Sequence, residues 1–90
     1  MVAAVAARMG REQAERLAEL MQEGRATRPA GVLTAGLLVD GDLAQLVAFW
    51  KDRDTLDRYL STTPVPRGTE LMRKVGVEPE VRVVEVLELG

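Results

Sequence analysis

The most constraining feature of this sequence is a pair of apolar segments, residues 31–39 and 43–50, on either side of Asp40-Gly41-Asp42. Either Asp40-Gly41 or Gly41-Asp42 can form a two-residue hairpin turn, in which glycine supplies a positive φ. Both turns pair odd positions of the first strand with even positions of the second. One face of this hairpin is then wholly apolar, with small residues at its centre: Leu33, Ala35, Leu37, Val39, Ala44, Leu46, Ala48 and Trp50. The other face is mostly apolar and carries no charge: Val32, Thr34, Gly36, Leu38, Leu43, Gln45, Val47 and Phe49.

A hairpin that is apolar on both faces needs cover on both sides. An antiparallel sheet with one face in water normally alternates apolar and polar residues, and this hairpin does not. The helices of one 90-residue chain can cover only one face. The pattern therefore predicts a homodimer, in which the second copy covers the other face, and the residues expected at this dimer contact are Thr34, Gln45, Val47 and Phe49.

The rest of the chain supplies the other elements of one small domain, residues 1–90. The elements predicted from apolar spacing, caps and breakers are a strand over 2–7, a helix over 11–25, a helix over 53–60, a short helix over 69–75 and a strand over 81–89. Asp52 is expected to cap the second helix, and Thr69 the third. The order βαββαβ predicts an α+β, ferredoxin-like fold, with a four-stranded antiparallel sheet and helices on one face.

The composition excludes several function classes. The chain has no His and no Cys, and its sequence also has no Asn and no Ile. These absences exclude disulfides, His- or Cys-based catalytic triads and thiolate metal sites, and no other metal or cofactor signature is present. A net charge of −2 without a basic run argues against nucleic acid, and no apolar stretch is long enough to span a membrane. We expect a cytoplasmic protein, and the excess of Arg over Lys suggests a GC-rich bacterial source.

Three segments carry a resemblance to a known family: residues 28–33, the Asp40-Gly41 turn, and residues 47–60. In these segments a strand ends in Trp50, Asp52 follows as a cap, and Leu56 lies in the next helix. The chain resembles the antibiotic biosynthesis monooxygenase-like proteins, also called dimeric α+β barrels. The resemblance implies a homodimer whose sheets form a barrel, with a pocket between sheet and helices in each subunit.

The resemblance also implies possible activities. Some members oxidise polycyclic aromatic substrates with molecular oxygen and no cofactor, and others degrade haem with an Asn, a Trp and a His. This chain keeps Trp50 but has no Asn and no His, which argues against haem degradation. The quinone-forming monooxygenases also have an Asn partner that has no counterpart here.

The sequence offers few candidate site residues. Trp50 could direct its indole N–H at a ligand oxygen, with Tyr59 beside it, Met21 and Met72 as an adaptable wall, and Arg8 binding an anionic group. The alternative is that Trp50, Met21 and Met72 are ordinary core and that Tyr59 and Arg8 lie at the surface. Two function classes follow: a cofactor-independent, monooxygenase-like enzyme acting on a small apolar or aromatic metabolite, or a non-catalytic dimer that binds a ligand or supports an assembly. A cavity of several hundred Å³ beside Trp50, with converging polar groups, would favour the enzyme.

Overall fold

A computed structural model describes residues 1–25 and 28–88. Its elements follow the expected order, including the two separate helices between the third and fourth strands. They are β1 (Val2–Arg8), α1 (Arg11–Glu23), β2 (Val32–Asp40), β3 (Leu43–Trp50), α2 (Arg53–Thr62), α3 (Arg67–Lys74) and β4 (Glu80–Val84). The strands form one four-stranded sheet in the order β2-β3-β1-β4, and every neighbouring pair is antiparallel. The α+β ferredoxin-like fold is thus confirmed.

The β2–β3 hairpin uses the second of the two possible turns. Asp40 pairs with Leu43, so the central residues are Gly41 and Asp42, and Gly41 has a φ of 61°. The register places Ala35 opposite Ala48 and Leu37 opposite Leu46, as the alternation predicts. The odd-even pairing of the two strands is confirmed over this part of the hairpin.

The alternation breaks at the start of β2. A bulge between Val32 and Thr34 places Val32 opposite Trp50, and Leu33 is left 67% exposed. The expectation that Leu33 packs under the helices is therefore wrong, and Val32 faces the helices in its place. An inserted residue shifts the side-chain alternation by one position, which is the usual effect of a bulge.

The helices pack on one face of the sheet, around a core that follows the apolar stripes of the sequence. From α1, Ala14 and Leu17 are buried as predicted. The core cluster joins helix and sheet residues: Val5, Ala7, Met9, Ala14, Leu17, Ala44, Leu46, Leu71 and Met72. Leu56 of α2 is also fully buried, against the Trp50 end of β3. In the described part of the chain, no helix is long and apolar enough to cross a membrane.

Two helix starts show what the local sequence can and cannot specify. Asp52 caps α2, because its Oδ1 accepts a hydrogen bond of 2.7 Å from the Thr55 backbone N–H. This hydrogen bond holds the pKa of the Asp52 carboxyl below its usual value. By contrast, α3 begins at Arg67, after Pro66, and Thr69 is a buried residue inside the helix. The expectation that Thr69 caps this helix is wrong, because the helix already begins at Arg67 and Thr69 lies within its first turn.

The last strand is shorter than predicted. It ends at Val84, opposite Val2, instead of continuing towards residue 89, and Leu89 itself lies outside the described residues. The reason is the partner strand: β1 begins at Val2, so an antiparallel β4 has no pairing partner beyond Val84. The apolar residues that follow are therefore not in the sheet, and Leu87 is 89% exposed.

The face of the sheet opposite the helices is the open face, formed by Ala4, Ala6, Thr34, Gly36, Leu38, Gln45, Val47 and Phe49. Leu38 on this face is 58% exposed. Charged side chains lie at two borders of the open face. Glu80 and Arg82 pair with each other in β4, and Arg8 and Asp40 lie at the hairpin-turn end. The four residues predicted to form a dimer contact all lie on this face, and their contact with a second copy stays a prediction.

Candidate functional site

A pocket lies between the sheet and the three helices, at the Trp50 end of β3. Its floor is a row of alanines, because the register places Ala48 directly opposite both Ala3 and Ala35. Three neighbouring strands therefore present only methyl groups at this level. Larger side chains, such as Leu46 and Trp50, line the pocket on either side of this floor. The cavity between them has a volume of about 110 Å³. This volume is of the order that accommodates one aromatic ring.

Three of the predicted site residues line this pocket together. Trp50 closes one side, Tyr59 of α2 stands beside it, and Met21 of α1 contributes to the wall. The ring centroids of Trp50 and Tyr59 are 5.1 Å apart, and their planes are inclined by 39°. Gly31 has a φ of 97°, and a Cβ there would lie 3.5 Å from Cε3 of Trp50. The backbone at Gly31, just before β2, thus packs closely against one edge of the indole.

The other two predicted ligand residues lie elsewhere. Met72 is fully buried in the core cluster and does not line the pocket. Arg8 is at the far end of β1, exposed and paired with Asp42 of the hairpin turn. Trp50 lies at the opposite end of the strands, where its backbone N–H bonds the Met1 carbonyl. Met72 is thus a core residue and Arg8 a surface residue, which are the alternatives that the sequence left open for them.

The indole of Trp50 carries an unusual polar group. The side chain is only 5% exposed, and its Nε1 is buried with no hydrogen-bond partner among the described residues. Buried polar groups in proteins are nearly always paired, so an unpaired one calls for an explanation. Trp50 lines the apolar pocket, and no described side chain supplies the acceptor.

Tyr59 and Arg67 tie the helices together at the mouth of the pocket. The Tyr59 hydroxyl accepts a hydrogen bond of 2.8 Å from the Arg67 backbone N–H. The Arg67 side chain donates from Nη2 to the Gly24 carbonyl at 2.8 Å, and so connects the start of α3 to the end of α1. A Cβ at position 24 would overlap this guanidinium, so the glycine there makes room for it.

Arginines are the only charged residues among the described residues that line the pocket. They are Arg25, Arg28 and Arg67, and no Asp or Glu accompanies them. Sequence reasoning missed all three and chose Arg8 instead. A signal was present, because residues 24–39 contain Arg25 and Arg28 and no acidic residue. Nothing local, however, indicates that Arg67 joins them.

A shallow groove continues from the pocket. It has a volume of about 520 Å³, runs between α2 and the start of β2, and shares Pro29, Tyr59 and Arg67 with the pocket. The buried pocket alone is smaller than the several hundred Å³ expected of a ligand site, and the groove supplies the remaining space. A ligand larger than one ring would extend past Tyr59 and Arg67 into this groove.

The chemistry available in the pocket is limited. In residues 1–25 and 28–88, no group of three or more His, Cys, Asp or Glu side chains could hold a metal ion. The described lining contains no carboxylate, and its only side-chain hydroxyl is that of Tyr59. Proton transfer there would use Tyr59, water or the ligand itself.

Solved structures of low sequence identity share this architecture. A monooxygenase of Streptomyces coelicolor, solved in complex with the ligand nanaomycin D, superposes with a TM-score of 0.65 at 19% identity, over 99% of this chain and 90% of that one. The chain has the antibiotic biosynthesis monooxygenase fold. A Chloroflexus aurantiacus protein, named as a candidate antibiotic biosynthesis monooxygenase, shares this fold with a TM-score of 0.61 at 20% identity, over 99% of this chain and 95% of that one.

An enzyme of a different activity shares the antibiotic biosynthesis monooxygenase fold as well. The tetracenomycin F2 cyclase of Streptomyces glaucescens, a type-II polyketide cyclase, superposes with a TM-score of 0.60 at 24% identity, over 99% of this chain and 86% of that one. No family model matches the sequence, and no curated protein matches it either. At these identities the likeness establishes the fold, and one fold can host different reactions.

Proposed function

We propose that this protein binds a small aromatic molecule in the pocket beside Trp50, with a carbonyl or phenolic oxygen of the ligand accepting from Nε1. The unpaired, buried Nε1 carries the proposal. A buried N–H without a partner costs about 1–3 kcal/mol, and a ligand that accepts its hydrogen bond removes that penalty. The pocket floor of Ala3, Ala35 and Ala48 leaves a flat, apolar space, which suits a ring.

The activity we propose is a cofactor-independent, monooxygenase-like oxidation. The substrate supplies the electrons, one atom of dioxygen enters the product, and the other leaves as water. Tyr59 is the side chain we assign to proton transfer, because its ring lies beside Trp50 and its hydroxyl is oriented by the Arg67 backbone N–H. Two structural neighbours support this activity: the Streptomyces coelicolor monooxygenase and the candidate monooxygenase of Chloroflexus aurantiacus.

A second candidate function is ligand binding without catalysis. The observation that favours it is the sparse inventory of the pocket, in which Tyr59 is the one described residue suited to general acid or base work. The two candidates share the same site and the same ligand chemistry, so they differ only in whether bound dioxygen is consumed.

The homodimer belongs to both candidates. The centre of the open face is apolar apart from Thr34 and Gln45, and its charged residues lie at its borders, along β4 and at the hairpin-turn end. Leu38 on this face is 58% exposed and Val84 is 42% exposed, and a second copy can cover both. Two copies also match the dimeric barrel that the family resemblance implies.

The proposed binding is tested with anthrone, dithranol and nanaomycin D, by thermal shift and by quenching of the Trp50 fluorescence. Trp50 is the only tryptophan, so its emission reports on the pocket alone. We expect at least one compound to raise the melting temperature and to quench the emission. Trp50→Phe keeps a ring but loses the donor, and should weaken binding by about tenfold, the equivalent of one hydrogen bond of about 1.4 kcal/mol.

Oxygen uptake separates the two candidates. An oxygen electrode should record one dioxygen consumed per dithranol oxidised by the wild-type protein, at a rate above that without protein. Binding without uptake supports the non-catalytic candidate. If no compound of the panel shifts the melting temperature or the fluorescence, the proposed binding is wrong.

A further inference from the structure

The pocket and its mouth combine an apolar interior with positive charge. Arg25, Arg28 and Arg67 line the pocket without any described carboxylate, although the whole chain has a net charge of −2. The adjoining groove adds Arg58 and one carboxylate, that of Glu70, which pairs with Lys74. Elsewhere on the described surface most arginines pair with acids in ion pairs, such as Arg73 with Glu78 and Arg53 with Asp57. Three arginines around one pocket of an acidic protein give that pocket a positive potential, which attracts anions.

Arg67 is the best placed of the three to contact a ligand. It starts α3, its backbone N–H bonds the Tyr59 hydroxyl, and its guanidinium reaches across the mouth to the Gly24 carbonyl. These contacts hold the guanidinium between the buried pocket and the outer groove, both of which it lines. A ring seated beside Trp50 would thus have Arg67 at its outward edge.

We propose that the ligand is an ionised aromatic carboxylic acid, with its ring in the pocket beside Trp50 and its carboxylate on the guanidinium of Arg67. This inference rests on the proposed ligand binding and specifies its chemical class. A planar guanidinium offers two parallel N–H donors, which match the two oxygens of a carboxylate. Arg25 and Arg28 add positive potential at the mouth.

The test compares two probes of nearly equal shape by isothermal titration calorimetry: 2-naphthoate and its neutral analogue 2-naphthamide. The carboxyl of 2-naphthoate is ionised at pH 7, since carboxyl pKa values lie near 4. We expect 2-naphthoate to bind the wild-type protein at least tenfold more tightly than 2-naphthamide. The attraction is electrostatic and acts at the partly exposed mouth of the pocket. The difference in affinity between 2-naphthoate and 2-naphthamide should therefore shrink when the salt concentration is raised.

Two variants and a matched control test whether the arginines at the mouth cause the preference for 2-naphthoate. Arg67→Gln should weaken 2-naphthoate by ten- to a hundredfold and leave 2-naphthamide nearly unchanged. Arg28→Gln should weaken 2-naphthoate by a smaller factor, and it tests the charge without removing the contact to Gly24. Arg8→Gln removes the same charge at the far end of the sheet, and should leave both affinities as they are.

The outcomes distinguish this inference from the proposed function. If 2-naphthamide binds as tightly as 2-naphthoate, the carboxylate inference is overturned and the aromatic pocket stands. If Arg67→Gln weakens both probes equally, while Arg28→Gln affects neither, the arginines have a structural role and the inference is also overturned. If neither probe binds and the neutral compounds of the previous panel also fail, both proposals are wrong.

Discussion

Replacing Val47 with glutamate is expected to turn a dimer into a monomer of 9.8 kDa. Val47 lies on the central strand β3, opposite Gly36 of β2 and Ala4 of β1, in the middle of the open face. In the proposed dimer this position is covered by the second copy. An unpaired carboxylate buried in such a contact costs several kcal/mol, which is enough to dissociate a small interface at micromolar concentration.

The measurement is sedimentation velocity or light scattering at 10–100 μM, on the wild-type protein and on two variants. Gln22→Glu adds the same charge on an exposed position of α1, and should keep the wild-type mass. The wild-type mass should be twice 9.8 kDa, and that of Val47→Glu 9.8 kDa with an unchanged circular dichroism spectrum. A wild-type monomer, or a Val47→Glu protein that still dimerises as tightly, would contradict the proposed interface.

Leu56→Ala is expected to cost about 2–5 kcal/mol of the free energy of unfolding. The Leu56 side chain is 0% exposed and holds α2 against the Trp50 end of the sheet, where it also lines the pocket. Its truncation removes buried contacts of α2 and leaves a cavity beside the existing pocket. Since small domains are stable by only about 5–15 kcal/mol, a loss of this size is a large part of the total.

Urea denaturation at one fixed protein concentration measures this cost, because the stability of a dimer depends on concentration. Leu56→Met conserves the volume and should cost less than about 1.5 kcal/mol. Leu87→Ala makes the same truncation at a leucine that is 89% exposed, and should leave the free energy of unfolding within about 0.5 kcal/mol of the wild-type value. A Leu56→Ala protein as stable as Leu87→Ala would show that α2 is not anchored through this residue.

The sequence specifies the parts of this fold that depend on local chemistry. The turn at Gly41, the cap at Asp52 and the stripe through Ala14 and Leu17 each follow from residues a few positions apart, and the structure confirms them. The bulge at Leu33 was not predictable from the pattern. Val32 and Leu33 are both apolar, so alternation alone cannot tell which of them faces the helices.

The site was less predictable than the fold, because it depends on residues far apart in the chain. The alanine floor exists only once β1 and β2 pair with β3 in one particular register, which aligns Ala3 and Ala35 with Ala48. Likewise, Arg67 reaches the end of α1 at Gly24 only through the packing of α3. Trp50 and Tyr59 could be named in advance because both belong to one short strand-cap-helix segment.

The central claim is that Nε1 of Trp50 donates a hydrogen bond to a ligand in the pocket. Because Trp50 is the only tryptophan, its indole N–H gives a single resonance in a ¹H–¹⁵N NMR spectrum. Titration with a compound that raises the melting temperature should move this resonance downfield, as expected when an unpaired N–H gains an acceptor. A compound that does not raise the melting temperature should leave it in place. A ligand that binds tightly while the indole resonance stays where it was would contradict the claim.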